Sequence, residues 1–406
     1  MTKAMFDPFT LSHDENYYEI LRSYRNQSAV VFGEPLYPSS NKCLYVFSKE
    51  IAEYVFNHPD IMHAPEGNYI PIHEEMRKEA WFDAVSKWML FSDKPQHTHL
   101  RQPLAKYFSM NNILTFESKI KHLADKLSGK LVKQAACDLI TDFVHPFVVG
   151  SLGILLGTQI KDIAWLKRHT ASIADALDFR SGNKNVIADN AVKELSVFAE
   201  NKLYGVVRPE PFSVGEVLLD LEEQNVFSKT DAITTYTMML FSAQETVVDA
   251  ISNAIVSLAN HPEQIEKLRN GLVVENMVVD ELLRFDSSVQ FATERIAAAD
   301  VQVGDYQIHD GDSVVVVLGS ANRDEKAYSN PDVLDLERQD NVRHLMYGGG
   351  MHICLGQHLA RIELKIAIET LYQNIPHWEL DLSGVKNRDN IIIRGLTAAP
   401  IMNVPF

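Results

Sequence analysis

The run Tyr347-Gly-Gly-Gly-Met-His-Ile-Cys354-Leu-Gly356 sets one thiol between a glycine-rich turn and the start of a helix. Gly348 and Gly350 let backbone pass close to something flat and bulky, because no side chain intervenes, and Gly356 does the same beyond the sulfur. A cysteine at a helix N-terminus faces backbone N–H groups and the positive end of the helix dipole. That setting favours thiolate, the form that binds metals. A lone buried cysteine beside a tight turn is common, but the whole string argues for function. A second pair with chemistry is Glu245-Thr246. A carboxyl beside an alcohol can relay protons, whereas an ordinary mid-helix threonine bonds back to a carbonyl one turn earlier. His97 and Arg101 stand at i, i+4 and share a helix face, as Glu281 and Arg284 do at i, i+3.

The elements that must position these groups are mostly helical. Lys49 to Asn57 reads as a helix after a β-like piece at Leu44 to Phe47. Helical patterns then dominate from about Pro103 to Leu272. Ser228 and Asp231 form a capping-box-like start to a segment that runs to Asn260 and stops at the His261-Pro262 breaker. Roughly 30 helical residues would span about 45–50 Å. The middle of this segment, Met238 to Phe241, is apolar on all sides, so the helix should cross the interior. Pro262 opens a further helix, and Val278 to Phe285 lies in another. After Val289, strand-like pieces at Val301 to Val303 and Ser313 to Leu318 alternate with turns. A last helix follows Cys354, with Leu359, Ile362 and Ile366 on its apolar face. The expected fold class is mainly α with a smaller β portion. With no repeat and no Gly/Ser- or Pro-rich linker, one domain over residues 1–406 is expected.

Composition excludes several function classes. The net charge of −16 argues against a nucleic-acid partner. Three cysteines (Cys43, Cys137 and Cys354) are too few and too scattered for a disulfide framework, and no CxxC pair suggests zinc. The N-terminal stretch has neither a secretory layout nor the roughly 20 apolar residues of a membrane anchor. A cytoplasmic, soluble and monomeric chain is the expectation.

The cysteine string resembles the signature of the cytochrome P-450 superfamily, F-G-x-G-x-[HR]-x-C-x-G, with Tyr347 in place of the usual Phe. Other blocks agree in the family's order. Glu281-x-x-Arg284 matches its E-x-x-R pair, with Arg338 as the third member of a buried cluster. Leu240-Phe-Ser-Ala-Gln-Glu245-Thr246 is similar to its [AG]-G-x-[DE]-T element, with Ala243 where glycine is preferred. Asp93-Lys-Pro95-Gln-His97-Thr-His-Leu-Arg101 resembles its D-P-P-x-H-T-x-x-R block, and Ala321-Asn-Arg-Asp324 a further one.

The resemblance implies a long central helix and a cysteine loop leading into a proximal helix. It implies heme b (iron protoporphyrin IX), with Cys354 as the iron ligand whose electron push favours O–O cleavage. Ala243, Tyr347, Gly348 and Gly356 would lie against the cofactor. His97, Arg101, Arg295 and His352 would meet its propionates, which need cations or hydrogen-bond donors. Glu245 and Thr246 would be the catalytic proton relay. The implied reaction inserts one atom of dioxygen into a small apolar or amphipathic substrate, in secondary metabolism. No flavin, nicotinamide or iron–sulfur fingerprint is present, so electrons would come from a ferredoxin or flavodoxin with its reductase. Arg343, His344, His358, Arg361 and Lys365 would form a cationic docking rim. Substrate would be lined by about Ile61 to Phe91, Phe179 to Ile187, Val289 to Ala292 and Gly395 to Ala398, including Tyr69, Trp81, Phe82, Phe179 and Phe291; Glu74, Glu75 and Lys78 read as solvated. Two other functions stay open: a same-fold oxidase that couples or desaturates, and a non-enzymatic heme sensor.

Overall fold

The computed structural model describes residues 5–403 apart from 12–15, 37–42, 64–79, 134–135, 179–184, 341 and 376–377. Tyr69, Glu74, Glu75, Lys78 and Phe179 lie outside the described residues. Helices that bear on the site are α1 (Lys49–Asn57), α2 (Gln96–Ala105), α3 (His145–Leu156), α4 (Ile163–Leu177), α5 (Lys229–Ser242), α6 (Glu245–Ala259), α7 (Asn276–Phe285) and α8 (Gln357–Glu369). A five-stranded sheet contains β1 (Val30–Gly33), β2 (Cys43–Val46), β3 (Ile61–Met62), β4 (Arg295–Ala297) and β5 (Ser313–Val316), in the order β1-β2-β5-β4-β3. Only the β2–β5 pair is parallel, Leu44 opposite Val314, and the other pairs are antiparallel. A short hairpin of β6 (Lys386–Asn387) and β7 (Leu396–Ala398) lies near the C-terminus.

Strand alternation explains why β2 is buried throughout. Cys43 and Tyr45 face the large helical core, while Leu44 and Val46 face a smaller cluster that also holds Val55 and Phe56 of α1. The sheet is therefore covered on both faces and reads as a near-continuous apolar run. Among the described residues, no helix is long and apolar enough to cross a membrane.

The N-terminus of α5 is capped as its residues predict. Ser228 Oγ accepts from Asp231 N at 3.1 Å, and Asp231 Oδ2 accepts from Ser228 N at 2.9 Å. The expected single helix to Asn260 is corrected: it is two helices, α5 and α6, interrupted at Ala243-Gln244. The reason is polar. Gln244 and Glu245 are both buried, and both reach the Thr170 hydroxyl of α4, at 3.1 and 2.9 Å. Consecutive residues of a regular helix point about 100° apart, and the break lets both neighbours face the same hydroxyl.

Candidate active site

Each glycine of the cysteine loop has its own duty. Gly348 and Gly350 hold φ of +67° and +62°, the left-handed region that β-carbons disfavour. A Cβ at Gly350 would also meet the Phe56 carbonyl oxygen at 2.0 Å, so the loop packs directly onto α1. At Gly348 and Gly356 a Cβ would meet nothing within 4 Å, and both residues line a cavity of about 360 Å³. Cys354 opens onto the same cavity, its backbone N–H donating to Tyr347 O at 2.8 Å. The sulfur accepts from the Gly356 N–H.

Burial pushes the Cys354 thiol above its ordinary pKa, against the lowering by the Gly356 N–H and the guanidiniums of Arg101 and Arg361. A coordinating metal reverses that balance, because its charge deprotonates the thiol outright.

The cavity walls are mostly apolar; apart from Thr293, Glu363 and Asn390, their polar residues fall into two groups. His97, Arg101, Arg295 and His352, the four expected propionate partners, all line it together. The His97 and His352 rings lie 4.3 Å apart, and His352 Nε2 is 3.3 Å from Asp93 Oδ1. Arg101 donates to the Ile353 carbonyl, and Arg295 stacks over Phe56 at 5.1 Å. Yet His97 Nε2 and Arg295 Nε are buried with no partner among the described residues. Burial and neighbouring cations lower His97 to about 4 and also lower His352, so both rings are neutral near pH 7. Two guanidiniums and unmatched donors in an apolar wall call for anionic groups on whatever fills the cavity. A carboxylate-bearing flat macrocycle fits this donor set, with glycines at 348 and 356 leaving its faces free. His63, Asp93 and His352 also come within metal-ligand reach of one another. The adjacent Arg295 charge, which depresses both imidazoles, opposes a cation there.

The second polar group lies at the α5–α6 break. Ala243, Glu245 and Thr246 line the cavity. Thr246 Oγ1 donates to Ser242 O at 3.0 Å, the ordinary one-turn-back bond. Glu245 is turned toward Arg388, its Oε2 lying 2.6 Å from Arg388 Nη1. The acid and the alcohol are adjacent in sequence but not bonded to each other here. Sequence reasoning missed Arg388, Thr170 and Asp249, the last 3.5 Å from the same guanidinium. Of these, only Asp249 left a signal, its i, i+4 spacing from Glu245.

The Glu281 cluster forms as expected. Arg284 Nε and Arg338 Nε both reach Glu281 Oε2, at 2.7 and 3.0 Å, and all three side chains are buried or nearly so. The cationic rim is corrected. His344 is buried and shares Asp280 with Arg361, at 3.3 and 2.8 Å, and Arg361 stacks on the Tyr347 ring at 4.6 Å. Lys365 is 3.3 Å from Glu117. Asp280 on α7 draws His344 and Arg361 inward, Glu117 holds Lys365, and Arg343 is the one exposed member of the five. On the substrate side, Leu90, Phe91, Val289, Phe291 and Ala292 line the cavity. Trp81 and Phe82 are buried away from it. Residues 395–398 do not line it either; Asn390, Ile392 and Ile393 do, because the loop that joins β6 to β7 turns inward.

Comparison with known proteins agrees with this geometry. The family model described as Cytochrome P450 (P-450) matches residues 208–394. A cytochrome P-450 of Bacillus subtilis (strain 168) is 32% identical over 322 residues, covering 79% of this chain and 78% of that one. The cytochrome P-450 monooxygenase PikC of Streptomyces venezuelae is 30% identical, covering 78% of this chain and 76% of PikC. The crystal structure of the cytochrome P-450 BioI, in complex with hexadec-9Z-enoic acid ligated acyl carrier protein, superposes with a TM-score of 0.85 at 26% identity. It covers 96% of this chain and 99% of that one. A thiol opening between glycines onto an apolar cavity, cationic donors on its wall and these relatives lead to one conclusion: the chain belongs to the cytochrome P-450 family of heme-dependent, oxygen-incorporating oxidoreductases.

Proposed function

We propose that this chain is a single-domain cytoplasmic monooxygenase in which Cys354 ligates the iron of heme b, and that it hydroxylates a small apolar or amphipathic molecule, such as a natural-product intermediate. The observation that carries this reading is that Cys354, the four propionate partners and Thr246 line one cavity whose remaining walls are mostly apolar. Heme, when bound, supplies dioxygen activation and oxygen-atom transfer.

The protein's own residues do the rest. His97, Arg101, Arg295 and His352 hold the propionates. Gly348 and Gly356 let the ring lie against backbone, and the Tyr347 ring packs behind the loop. Phe91, Val289, Phe291 and Ile393 exclude water and orient apolar substrate. Thr246 exchanges its bond to Ser242 O for a proton-holding position facing the cavity. Glu245 feeds it once released by Arg388. Electrons come from a ferredoxin or flavodoxin and its reductase. Because His344 and Arg361 are drawn in by Asp280, docking rests on Arg343 and His358 more than on the whole rim.

Turnover under oxygen-18 dioxygen tests the reaction class. Label in one product hydroxyl supports insertion; unlabelled coupled or desaturated product supports the alternative oxidase, and no turnover supports a sensor. Thr246→Ala should lower the fraction of NADH recovered as product by roughly tenfold or more, within the range of a lost acid–base group. Unchanged coupling removes Thr246 from the relay.

A further inference from the structure

One turn beyond Glu245, on the same face of α6, Asp249 is fully buried. Its carboxyl lies directly under the β6–β7 hairpin. A Cβ at Gly395 would stand 2.0 Å from Asp249 Cγ, so position 395 has no room for a side chain while this carboxyl is in place. The same hairpin carries Arg388, whose backbone N–H donates to Gly395 O at 2.8 Å. Its guanidinium bridges both acids, Nη1 at 2.6 Å from Glu245 Oε2 and Nη2 at 3.5 Å from Asp249 Oδ1.

We propose that Asp249 is a positioning acid for the relay: with Glu245 it shares the single guanidinium of Arg388, keeps one proton within the pair, and becomes Arg388's counter-ion when Glu245 takes that proton toward the cavity. This rests on the Glu245–Thr246 relay reading.

The charge count supports it. Two ionised carboxylates against one guanidinium would leave a buried anion unpaired, which is too costly to persist. Neighbouring elements do not restore the balance. His145 of α3 is buried with both ring nitrogens unpartnered among the described residues, and burial, Lys167 and Arg388 lower it to about 3, so it brings no charge. Lys167 of α4 acts on Asp249 only weakly, behind Arg388 and Glu245, while Asp175 of α4 adds negative charge near Arg388. One proton therefore stays with the pair. Glu245 has the closer ion pair and the Thr170 hydroxyl at 2.9 Å. Asp249 has the longer contact with Arg388 and a Leu396 N–H, and no side-chain hydroxyl is recorded on it as Thr170 is on Glu245. Burial raises Asp249 well above the usual carboxylate range, against the pull of Arg388, so of the two acids Asp249 keeps the proton.

The step is a proton transfer without redox change. Asp249 loses its proton, Glu245 gains it, and Arg388 shifts its pairing from Glu245 to Asp249; Glu245 then passes that proton to Thr246, which leaves both carboxyls of the pair ionised. Solvent then reprotonates the pair beside the partly exposed Arg388.

Infrared spectra of the heme-loaded protein test this directly. The wild-type minus Asp249→Asn difference should show one protonated carboxyl at neutral pH. That band should shift in heavy water and titrate away only at a pH well above the ordinary carboxylate range. Glu245→Gln leaves Arg388 to Asp249 alone and should abolish the same band. Arg388→Gln should strengthen it, because both acids then keep protons. Absence of the band from the wild-type difference, its survival in Glu245→Gln, or no change in Arg388→Gln overturns the proposal. Asp249→Asn should also lower product recovered per NADH several-fold, with the loss changing across the same pH range; unchanged coupling at every pH overturns the relay role. The infrared result does not depend on which reaction the enzyme catalyses, so its failure and that of the monooxygenase reading are separable.

Discussion

Replacing Glu281 with alanine removes the anion on which two guanidiniums converge. Glu281 accepts from Arg284 Nε and Nη2 at 2.7 and 3.0 Å, from Arg338 Nε at 3.0 Å and from Asp335 N at 3.0 Å. The side chains of Arg284 and Glu281 are each 3% exposed, so water cannot replace the lost partner. Arg284 keeps bonds to the carbonyls of Asn322 and Pro331, at 2.9 and 2.8 Å, but none of these bears charge. Arg338 keeps Asp340 at 3.0 Å. Stranding a buried cation costs about 3–5 kcal/mol, most of it here on Arg284. With a urea m-value at or above about 3 kcal/mol/M for a chain of this size, the midpoint should fall by about 1–1.7 M at most. Tryptophan fluorescence of the heme-loaded protein in urea reads that shift. Asp340→Asn is the control: it breaks a more exposed pair and should cost under about 1 kcal/mol. A Glu281→Ala loss no larger than that of Asp340→Asn would refute the claim that Glu281 neutralises a desolvated pair.

Two further outcomes follow from buried polar groups. Tyr347→Phe should be neutral or stabilising by roughly 1 kcal/mol, since its hydroxyl is buried with no partner among the described residues; thermal unfolding checks this, and clear destabilisation would mean the hydroxyl is satisfied. Glu363 on α8 is raised by burial from 4.5 to about 8. The native state thus keeps a proton that the unfolded chain loses, and stability falls as pH rises between those values. Glu363→Gln should remove that slope, about 1.4 kcal/mol per pH unit. The variant should gain on wild type up to pH 8 and run parallel above it; parallel curves throughout would contradict a protonated Glu363.

Local rules made the helix starts and the cysteine loop legible. Ser228 with Asp231, Pro262 and the glycines at 348, 350 and 356 act through backbone geometry that spacing alone specifies. The Glu281–Arg284–Arg338 cluster was legible through family resemblance, because Arg338 is far along the chain. What escaped was tertiary. Nothing in the α5–α6 segment announces that Thr170 will draw both Gln244 and Glu245 and break the helix. Nor could spacing show that Asp280 would pull His344 and Arg361 inward, or that Arg388 would meet Glu245. In each case a buried charge or hydroxyl chose its partner across a sequence separation that pattern reading does not span.

Sulfur ligation by Cys354 is tested most directly by the absorption of the dithionite-reduced, carbon monoxide-bound protein. A strongly red-shifted, thiolate-type Soret band in the wild type, lost in Cys354→Ser, is the result predicted. A globin-like band in the wild type, or the same band retained in Cys354→Ser, would contradict it.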